Sequence, residues 1–152
     1  MHILVAEDEA ISRRVLTSLL QKWGFEITVA ENGEQAWQLL LDGAFNMAIL
    51  DWMMPGLDGI EVIQRIRTLA LPFRIYLILL TGKTDAEDII AGLQAGADDY
   101  VTKPYNHDEL RWRIRIGERI LDLERLVQEA AGRDICDCGA VPSKADIEHL
   151  SS

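Results

Sequence analysis

The chain has 152 residues and a mass of 17.1 kDa, which favours one ordinary domain over a two-domain enzyme. Fifteen Lys and Arg residues against 25 Asp and Glu residues give a formal charge of −10, which disfavours nonspecific binding to nucleic acid. Hydrophobic residues at 49% and charged residues at 26% are typical of a globular protein and exclude a disordered one.

Targeting signals and cysteine frameworks are not expected. Apolar runs fall far short of the ~18 residues that span a bilayer, and the amino terminus lacks a basic segment leading into an apolar core. We therefore expect a cytoplasmic protein. Cys136 and Cys138 are too few for a disulfide framework or a complete zinc site, so we expect two free thiols in a loose tail.

Five short apolar segments alternate with segments of helical spacing, which predicts an α/β fold with a parallel sheet covered by helices. The expected strands are residues 3–6, 26–30, 47–50, 75–80 and 99–102. The first helix is expected over 10–23, with Val15, Leu19 and Leu20 on its buried stripe. The other helices are expected to begin at Glu31 or Asn32, at Asp58 or Gly59, at Thr84 or Asp85, and near Asn106.

Two further expectations concern helix packing and helix ends. Ile89, Ile90 and Leu93 have the spacing of a buried face on the fourth helix. Pro72 is expected to bar continuation of the third helix, because its ring cannot enter a helix interior.

Polar side chains stand where the expected strands end. Right-handed crossovers favour an open, doubly wound sheet, whose ligand site lies beyond the carboxyl ends of the strands. Three carboxylates, a hydroxyl and an ammonium group should therefore converge on one edge, supplied by Glu7, Asp8, Asp51, Thr81 and Lys103.

This group of side chains predicts a metal site and phosphoryl chemistry. Two carboxylates 4 Å apart repel by about 4 kcal/mol at an effective dielectric constant of ~20, so a cation must share the site. Oxygen ligands favour Mg²⁺, and this group of five residues contains no histidine and no pair of cysteines suited to zinc. A carboxylate beside Mg²⁺, with a lysine and a hydroxyl for phosphoryl oxygens, can accept a phosphoryl group, which makes Asp51 the candidate nucleophile.

Simpler structural roles are open for each residue taken alone. Glu7 and Asp8 could be first-turn acids or an N-cap of the first helix, and Thr81 could cap the fourth. Lys103 could pair with the nearby acids of the 98–99 segment. Burying an acid directly after a buried strand costs free energy unless the acid has a partner. A functional role is therefore favoured over a structural one for Asp51.

The chain resembles the receiver domain of two-component response regulators over about residues 1–121. The segments that carry the resemblance are VAEDE at 5–9, LDWMMPGLDG at 50–59, LTG at 80–82 and GADDYVTKP at 96–104. The resemblance implies a flavodoxin-like sheet of five parallel strands in the order 2-1-3-4-5. It also implies a signalling phosphoacceptor that is no enzyme beyond self-directed phosphoryl transfer and autodephosphorylation.

The resemblance implies specific roles for the site residues. Asp51 would accept a phosphoryl group from a phosphohistidine on a sensor kinase or phosphotransfer protein. Asp8, Asp51 and the backbone carbonyl of Met53 would bind Mg²⁺ directly, and Glu7 would reach it through water. Lys103, aimed by a cis peptide bond before Pro104, would bind a phosphoryl oxygen, while Thr81 and Tyr100 would form the switch.

Two positions that vary within the family line the approach of the water that hydrolyses an aspartyl phosphate. We hypothesise that apolar Met53 shields the phosphoryl group and that Lys83 adds positive charge at its edge. Together they predict a long-lived phosphorylated state.

The carboxyl-terminal segment carries two apolar stripes. Leu110, Ile114, Gly117 and Leu121 should pack on the sheet. The second stripe comprises Trp112, Ile116, Ile120, Leu123, Val127 and Ala130. From Ile116 onward it has coiled-coil spacing, so a homodimer through this helix and an amphipathic linker are both open hypotheses. Six arginines balance six acids between residues 107 and 133, which argues against a basic DNA-binding arm.

The expected organisation is a receiver domain over 1–121, an extension of the fifth helix over 122–132, and a tail over 133–152. The tail is too short for an output domain, so a fragment of a longer regulator and a stand-alone regulator are both open. Two other functions are alternatives to the receiver hypothesis. A phosphohydrolase working through an aspartyl phosphate would need a second Asp where Met53 stands, and a non-phosphorylated scaffold would not need all five site residues.

Overall fold

A computed structural model describes residues 1–43, 45–69, 71 and 74–137, with side chains described as far as residue 131. The expectations for Pro72, for the Cys136 thiol and for Cys138 lie outside these described parts, as does most of the expected 133–152 tail. The chain divides into two compact units, Met1–Ile114 and Arg115–Ser152.

The first unit contains one sheet of five parallel strands in the order β2-β1-β3-β4-β5. The strands are β1 (His2–Ala6), β2 (Glu26–Ala30), β3 (Met47–Asp51), β4 (Tyr76–Thr81) and β5 (Asp99–Thr102). Every residue of β3 and β4 is buried, as central strands covered on both faces must be. The predicted fold class and strand order are confirmed.

The helices are α1 (Ala10–Lys22), α2 (Gly33–Asp42), α3 (Gly59–Arg67), α4 (Ala86–Ala95) and α5 (His107–Asp137). Asn32 caps α2 through its side chain, and Asp58 forms a capping box with Glu61 at the start of α3. The extended carboxyl-terminal helix that the sequence predicted is present as α5. No helix in the described part of the chain is long and apolar enough to cross a membrane.

The predicted buried stripe of α1 is right for Leu20, which is fully buried, and wrong for Val15, while Leu19 is half-buried. Val15 is exposed, and Leu16 and Leu20 form the buried face. Leu16 and Leu20, four residues apart, face the core together, whereas Val15 lies about 100° away from Leu16 around the helix.

The predicted buried face of α4 is also wrong, because Ile90 is 51% exposed and Leu93 is 43% exposed. The buried residue of this helix is Gly92, where a Cβ atom would lie only 2.9 Å from Leu79 Cδ2. The helix therefore approaches β4 through a residue without a side chain. Ile90 and Leu93 are turned toward solvent, and Ile89 is half-buried. On α5, Leu110 and Ile114 are fully buried, as predicted.

Candidate functional site

The carboxyl edge of the sheet brings together the five polar residues that the sequence placed there. Glu7 and Asp8 follow β1, Asp51 and Thr81 are the last residues of β3 and β4, and Lys103 follows β5. One carboxylate oxygen from each of Glu7, Asp8 and Asp51 lies within 4.8 Å of the others. Parallel strands end at the same edge, so residues distant in the sequence meet there.

Lys103 is the cation that joins this cluster. Its Nζ lies 3.1 Å from Glu7 Oε2 and 3.1 Å from Asp51 Oδ2. Partial burial lowers the pKa of Lys103, but the charges of Asp51 and Glu7 outweigh burial and raise that pKa above its usual value. The peptide bond between Lys103 and Pro104 is cis, as the resemblance implied.

The alternative pairing of Lys103 with the acids at 98 and 99 is wrong, because those acids bind arginines. Arg67 Nη2 lies 2.6 Å from Asp98 Oδ2, and Arg74 pairs with the other oxygen of Asp98. Arg113 Nη1 lies 2.8 Å from Asp99 Oδ1. Lys103 thus belongs to the carboxylate cluster at the opposite edge of the sheet from Asp98.

Glu7 and Asp51 are 2% and 5% exposed, so two carboxyl groups share a nearly water-free space. Burial, and then a hydrogen bond to Asp51 and its negative charge, raises the pKa of Glu7 to about 7. One lysine therefore does not fully balance the acids. Three oxygen donors with unbalanced negative charge fit a hard divalent cation such as Mg²⁺.

The structural alternative for Glu7 and Asp8 is wrong, because Glu9 is the N-cap of α1. Its carboxylate accepts hydrogen bonds from the backbone N–H groups of Ile11 at 3.1 Å and Ser12 at 2.6 Å. Arg13 donates to the backbone carbonyls of Glu7 and Asp8 at 2.9 and 3.3 Å and so fixes the acidic loop. Sequence reasoning missed Arg13, since nothing in its spacing distinguishes it from a solvent-facing arginine.

Thr81 does not cap α4, whose N-cap residue is Asp85. The buried Thr81 hydroxyl accepts a hydrogen bond of 2.8 Å from the backbone N–H of Lys83. Its own proton is therefore available for donation to a new acceptor. Tyr100, the expected switch aromatic, is half-buried, and Arg113 Cζ lies 6.0 Å from its ring centroid.

Two side chains flank the site on the side of β3 and β4. Met53, two residues after Asp51, is 63% exposed. The Lys83 ammonium group lies 4.5 Å from the ring centroid of Trp52, a contact that sequence reasoning missed. A pairing between side chains from two loops depends on the fold and leaves no periodic signal in the sequence.

A cavity of about 460 Å³ opens beside Lys103 on the other flank. Its walls combine the two charged site residues Glu7 and Lys103 with apolar and aromatic side chains, including Ile11, Val15 and Tyr105. The cavity therefore reaches Glu7 and Lys103 on the side of the site where α1 begins.

Comparisons with known proteins assign the chain to a family. The family model described as the response regulator receiver domain matches residues 3–115. The chain belongs to the response regulator receiver family. Receivers are signalling domains, and response regulators are partnered with histidine kinases.

Two curated relatives are similar over this region. The phosphate regulon transcriptional regulatory protein PhoB of Pseudomonas aeruginosa is 40% identical over 113 residues, which cover 74% of this chain and 49% of PhoB. The transcriptional regulatory protein DltR of Streptococcus agalactiae is 37% identical over 132 residues, covering 87% of this chain and 58% of DltR. The chain thus spans about half the length of the curated relatives it matches.

Solved structures show the same fold. The receiver domain of the Francisella response regulator 1452 matches with a TM-score of 0.73 and 33% identity, covering 78% of this chain and 96% of that one. The chemotaxis protein CheY4 of Vibrio cholerae matches with a TM-score of 0.70 and 25% identity, covering 75% of this chain and 95% of that one.

Proposed function

We propose that this chain is a phosphorylation-activated receiver in which Asp51 accepts a phosphoryl group from a phosphohistidine on a sensor kinase or phosphotransfer protein. The observation that carries the proposal is a nearly buried carboxylate, 3.1 Å from the Lys103 ammonium, within a cluster of two further acids. Burying Asp51 beside a second acid, Glu7, with Lys103 as the cation that pairs with both, is costly for folding, and a role as the nucleophile accounts for that cost.

The transfer exchanges one bond to phosphorus for another. An oxygen of the Asp51 carboxylate forms a bond to phosphorus, the bond from phosphorus to the histidine nitrogen breaks, and its electron pair stays on the imidazole. Lys103 then donates a hydrogen bond to one phosphoryl oxygen. Thr81 donates its hydroxyl proton to another, because a phosphoryl oxygen can only accept, and the hydroxyl keeps the hydrogen bond that it accepts from the backbone N–H of Lys83.

Glu7, Asp8, Asp51 and the backbone carbonyl of Met53 would hold Mg²⁺, with Glu7 acting through water. When bound, Mg²⁺ neutralises the negative charge that the incoming phosphoryl group adds. This assignment predicts that millimolar Mg²⁺ raises the melting temperature of the chain through binding to the folded state alone. Asp8→Asn should abolish the rise, whereas Glu34→Gln, an exposed acid on α2, should keep it.

The switch that we propose uses Thr81 and Tyr100. As Thr81 follows the phosphoryl group, its loop moves inward and opens space into which the Tyr100 ring turns. That rotation separates Tyr100 from Arg113 and changes the surface formed by α4, β5 and the first turns of α5.

Met53 and Lys83 set the lifetime of the phosphorylated state in this proposal. Met53→Asn replaces an apolar cover with a group that can orient water, so it should speed dephosphorylation. An unchanged rate in that variant would remove the shielding role.

The organisation we propose is a receiver over residues 1–121, a helical extension over 122–132 and a tail over 133–152. Ile116, Leu123 and Val127 are exposed on α5 and repeat at coiled-coil spacing, which supports a homodimer through this helix. Leu123→Glu should lower the sedimentation coefficient of a concentrated sample. Gln128→Glu adds the same charge off the seam and should leave the coefficient unchanged.

The test of phosphoryl acceptance is intact mass after incubation with acetyl phosphate and Mg²⁺. Wild-type chain should gain one phosphoryl group and Asp51→Asn none. Steady release of phosphate from a soluble phosphoester, with rapid turnover, would instead favour a phosphohydrolase. A wild-type chain that gains no mass would favour a scaffold.

A further inference from the structure

A second cation lies at the same edge of the sheet, over an aromatic ring. Lys83 Nζ is 4.5 Å from the ring centroid of Trp52, inside the ~6 Å over which a ring face attracts an ammonium group. Trp52 directly follows Asp51, and Lys83 follows Thr81 by two residues. The pair is therefore attached to both site residues that end the central strands.

The Trp52 ring is fixed by the fold and not by Lys83. Its backbone N–H donates to Leu80 O at 2.9 Å, and its carbonyl accepts from the N–H of Gly59 at 2.9 Å. The side chain is only 8% exposed, and a Cβ atom at Gly92 would lie 3.9 Å from Trp52 Cζ3. The ring thus packs against α4 and offers the lysine a stationary face.

The charges of the two lysines at this edge are balanced differently. Lys103 forms ion pairs with Glu7 and Asp51, whereas no carboxylate among the described side chains forms an ion pair with Lys83. An aromatic ring attracts a cation but carries no net charge. The positive charge of Lys83 therefore remains uncompensated and available to an anion.

We propose that Trp52 is a positioning residue that holds the Lys83 ammonium group at the edge of the Asp51 site. From there the ammonium group binds a phosphoryl oxygen on Asp51, and the lysine side chain fills space that water would use for attack. The inference rests on the proposed function, since it concerns the lifetime of the aspartyl phosphate. Without the ring, the Lys83 side chain would sample many rotamers in water and leave that space open.

The step whose rate Trp52 controls is hydrolysis of the phosphorylated side chain. The oxygen of a water molecule forms a bond to phosphorus, the bond from phosphorus to the Asp51 oxygen breaks, and the carboxylate is restored. Inorganic phosphate and the water proton leave to solvent.

The contact itself can be tested without phosphorylation, through tryptophan fluorescence. A nearby ammonium group changes indole emission, so Lys83→Met should change the emission spectrum of the metal-free chain. In a Trp52→Phe background the same substitution should produce no change, because the responding indole is gone. An equal change in both backgrounds would overturn the inference, since it would arise from another tryptophan.

The consequence is tested by the rate at which phosphorylated chain loses phosphate after the donor is removed. Lys83→Met and Trp52→Leu should each hydrolyse roughly three- to tenfold faster than wild type, the factor that a cation–π contact is worth. The double variant should be no faster than either single variant. Trp52→Phe should stay near the wild-type rate, because a phenyl face also holds the ammonium group.

Arg65→Met is the matched control, because Arg65 makes an equivalent cation–π contact away from the site. Arg65 lies on α3, and its Cζ is 5.6 Å from the ring centroid of Trp37 on α2. It should leave the hydrolysis rate unchanged. If Trp52→Leu fails to fold, as judged by circular dichroism, Lys83→Met and the fluorescence test still decide the question. An unchanged rate in Lys83→Met, or in a folded Trp52→Leu, would overturn the inference alone. A wild-type chain that gains no phosphoryl group would overturn the proposed function as well.

Discussion

Lys103 Nζ lies 3.1 Å from Asp51 Oδ2, and the two side chains reach this point from the ends of different strands. Glu7 Oε2 lies at the same distance from the ammonium group. The lysine therefore stabilises the site by balancing two nearly buried acids. In the proposed function it later exchanges a carboxylate for a phosphoryl oxygen.

Lys103→Met should destabilise the metal-free chain, because Glu7 and Asp51 would keep their burial and lose their cation. We expect a loss of about 1–2 kcal/mol in the free energy of unfolding, reduced from the value for a fully buried pair because Lys103 is partly exposed. Urea denaturation measures the loss. Lys22→Met, an exposed lysine at the end of α1, is the control and should stay within about 0.5 kcal/mol of wild type.

The pH dependence of stability follows from Glu7. Its pKa is about 7 in the folded chain against 4.5 as its ordinary value, so the folded state binds the proton more tightly. The resulting stabilisation is complete below pH ~4.5 and is lost as the pH rises through ~7, amounting to no more than about 3 kcal/mol.

Metal-free wild type and Glu7→Gln should therefore differ in how their unfolding free energies change between pH 5 and pH 8. Wild type should lose stability relative to the variant over this interval, because a glutamine has no proton to release. Parallel curves for the two proteins would show that burial does not perturb Glu7.

Asp98 should be a structural residue at the edge of the sheet remote from Asp51. Its side chain accepts from Arg67 Nη2 at 2.6 Å and from the backbone N–H of Leu77 at 2.8 Å, and it also pairs with Arg74. Asp98→Asn should lower the free energy of unfolding by about 2–3 kcal/mol, because two guanidinium groups lose their counter-charge. The folded variant should still gain a phosphoryl group, which separates stability from function in one protein.

The control for that variant is Asp85→Asn, at an N-cap whose side chain makes no capping hydrogen bond. Its unfolding free energy should stay within about 0.5 kcal/mol of wild type. An Asp98→Asn chain as stable as this control would contradict the proposed role of the arginine pair.

Gly59 should be required for the position of Asp51. A Cβ atom at Gly59 would lie 2.5 Å from the backbone oxygen of Asp51, so Gly59→Ala must push α3 away from the end of β3. We expect a loss of about 1–3 kcal/mol in unfolding free energy, together with slower phosphorylation. Gly82→Ala, where a Cβ atom would meet nothing within 4 Å, should change neither quantity.

Much of the fold could be predicted from the sequence, because strand and helix signals alternate cleanly along the chain. The strands β2 and β5 have the predicted limits, and the predicted caps Asn32 and Asp58 are the ones used. The buried faces of α1 and α4 could not be predicted reliably. Branched residues on α4 suggested a packed face, but the close approach to Leu79 occurs through Gly92, which carries no hydrophobic signal.

The convergence of the site could be predicted from strand ends alone, since parallel topology places those ends at one edge. The partner of each individual side chain could not be predicted. Whether Lys103 pairs with Asp51 or with Asp98 depends on the direction the chain takes after β5, and each choice is compatible with the sequence. The contact of Lys83 with Trp52 likewise depends on the path of two loops.

The most direct test of the central claim is the position of the phosphoryl group within the chain. Borohydride reduces an aspartyl phosphate to homoserine, so peptide mass spectrometry of phosphorylated and reduced chain identifies the acceptor. The account predicts homoserine at position 51, formed only with donor and Mg²⁺ present. Homoserine at another aspartate, or none in a chain that has gained phosphoryl mass, would contradict it.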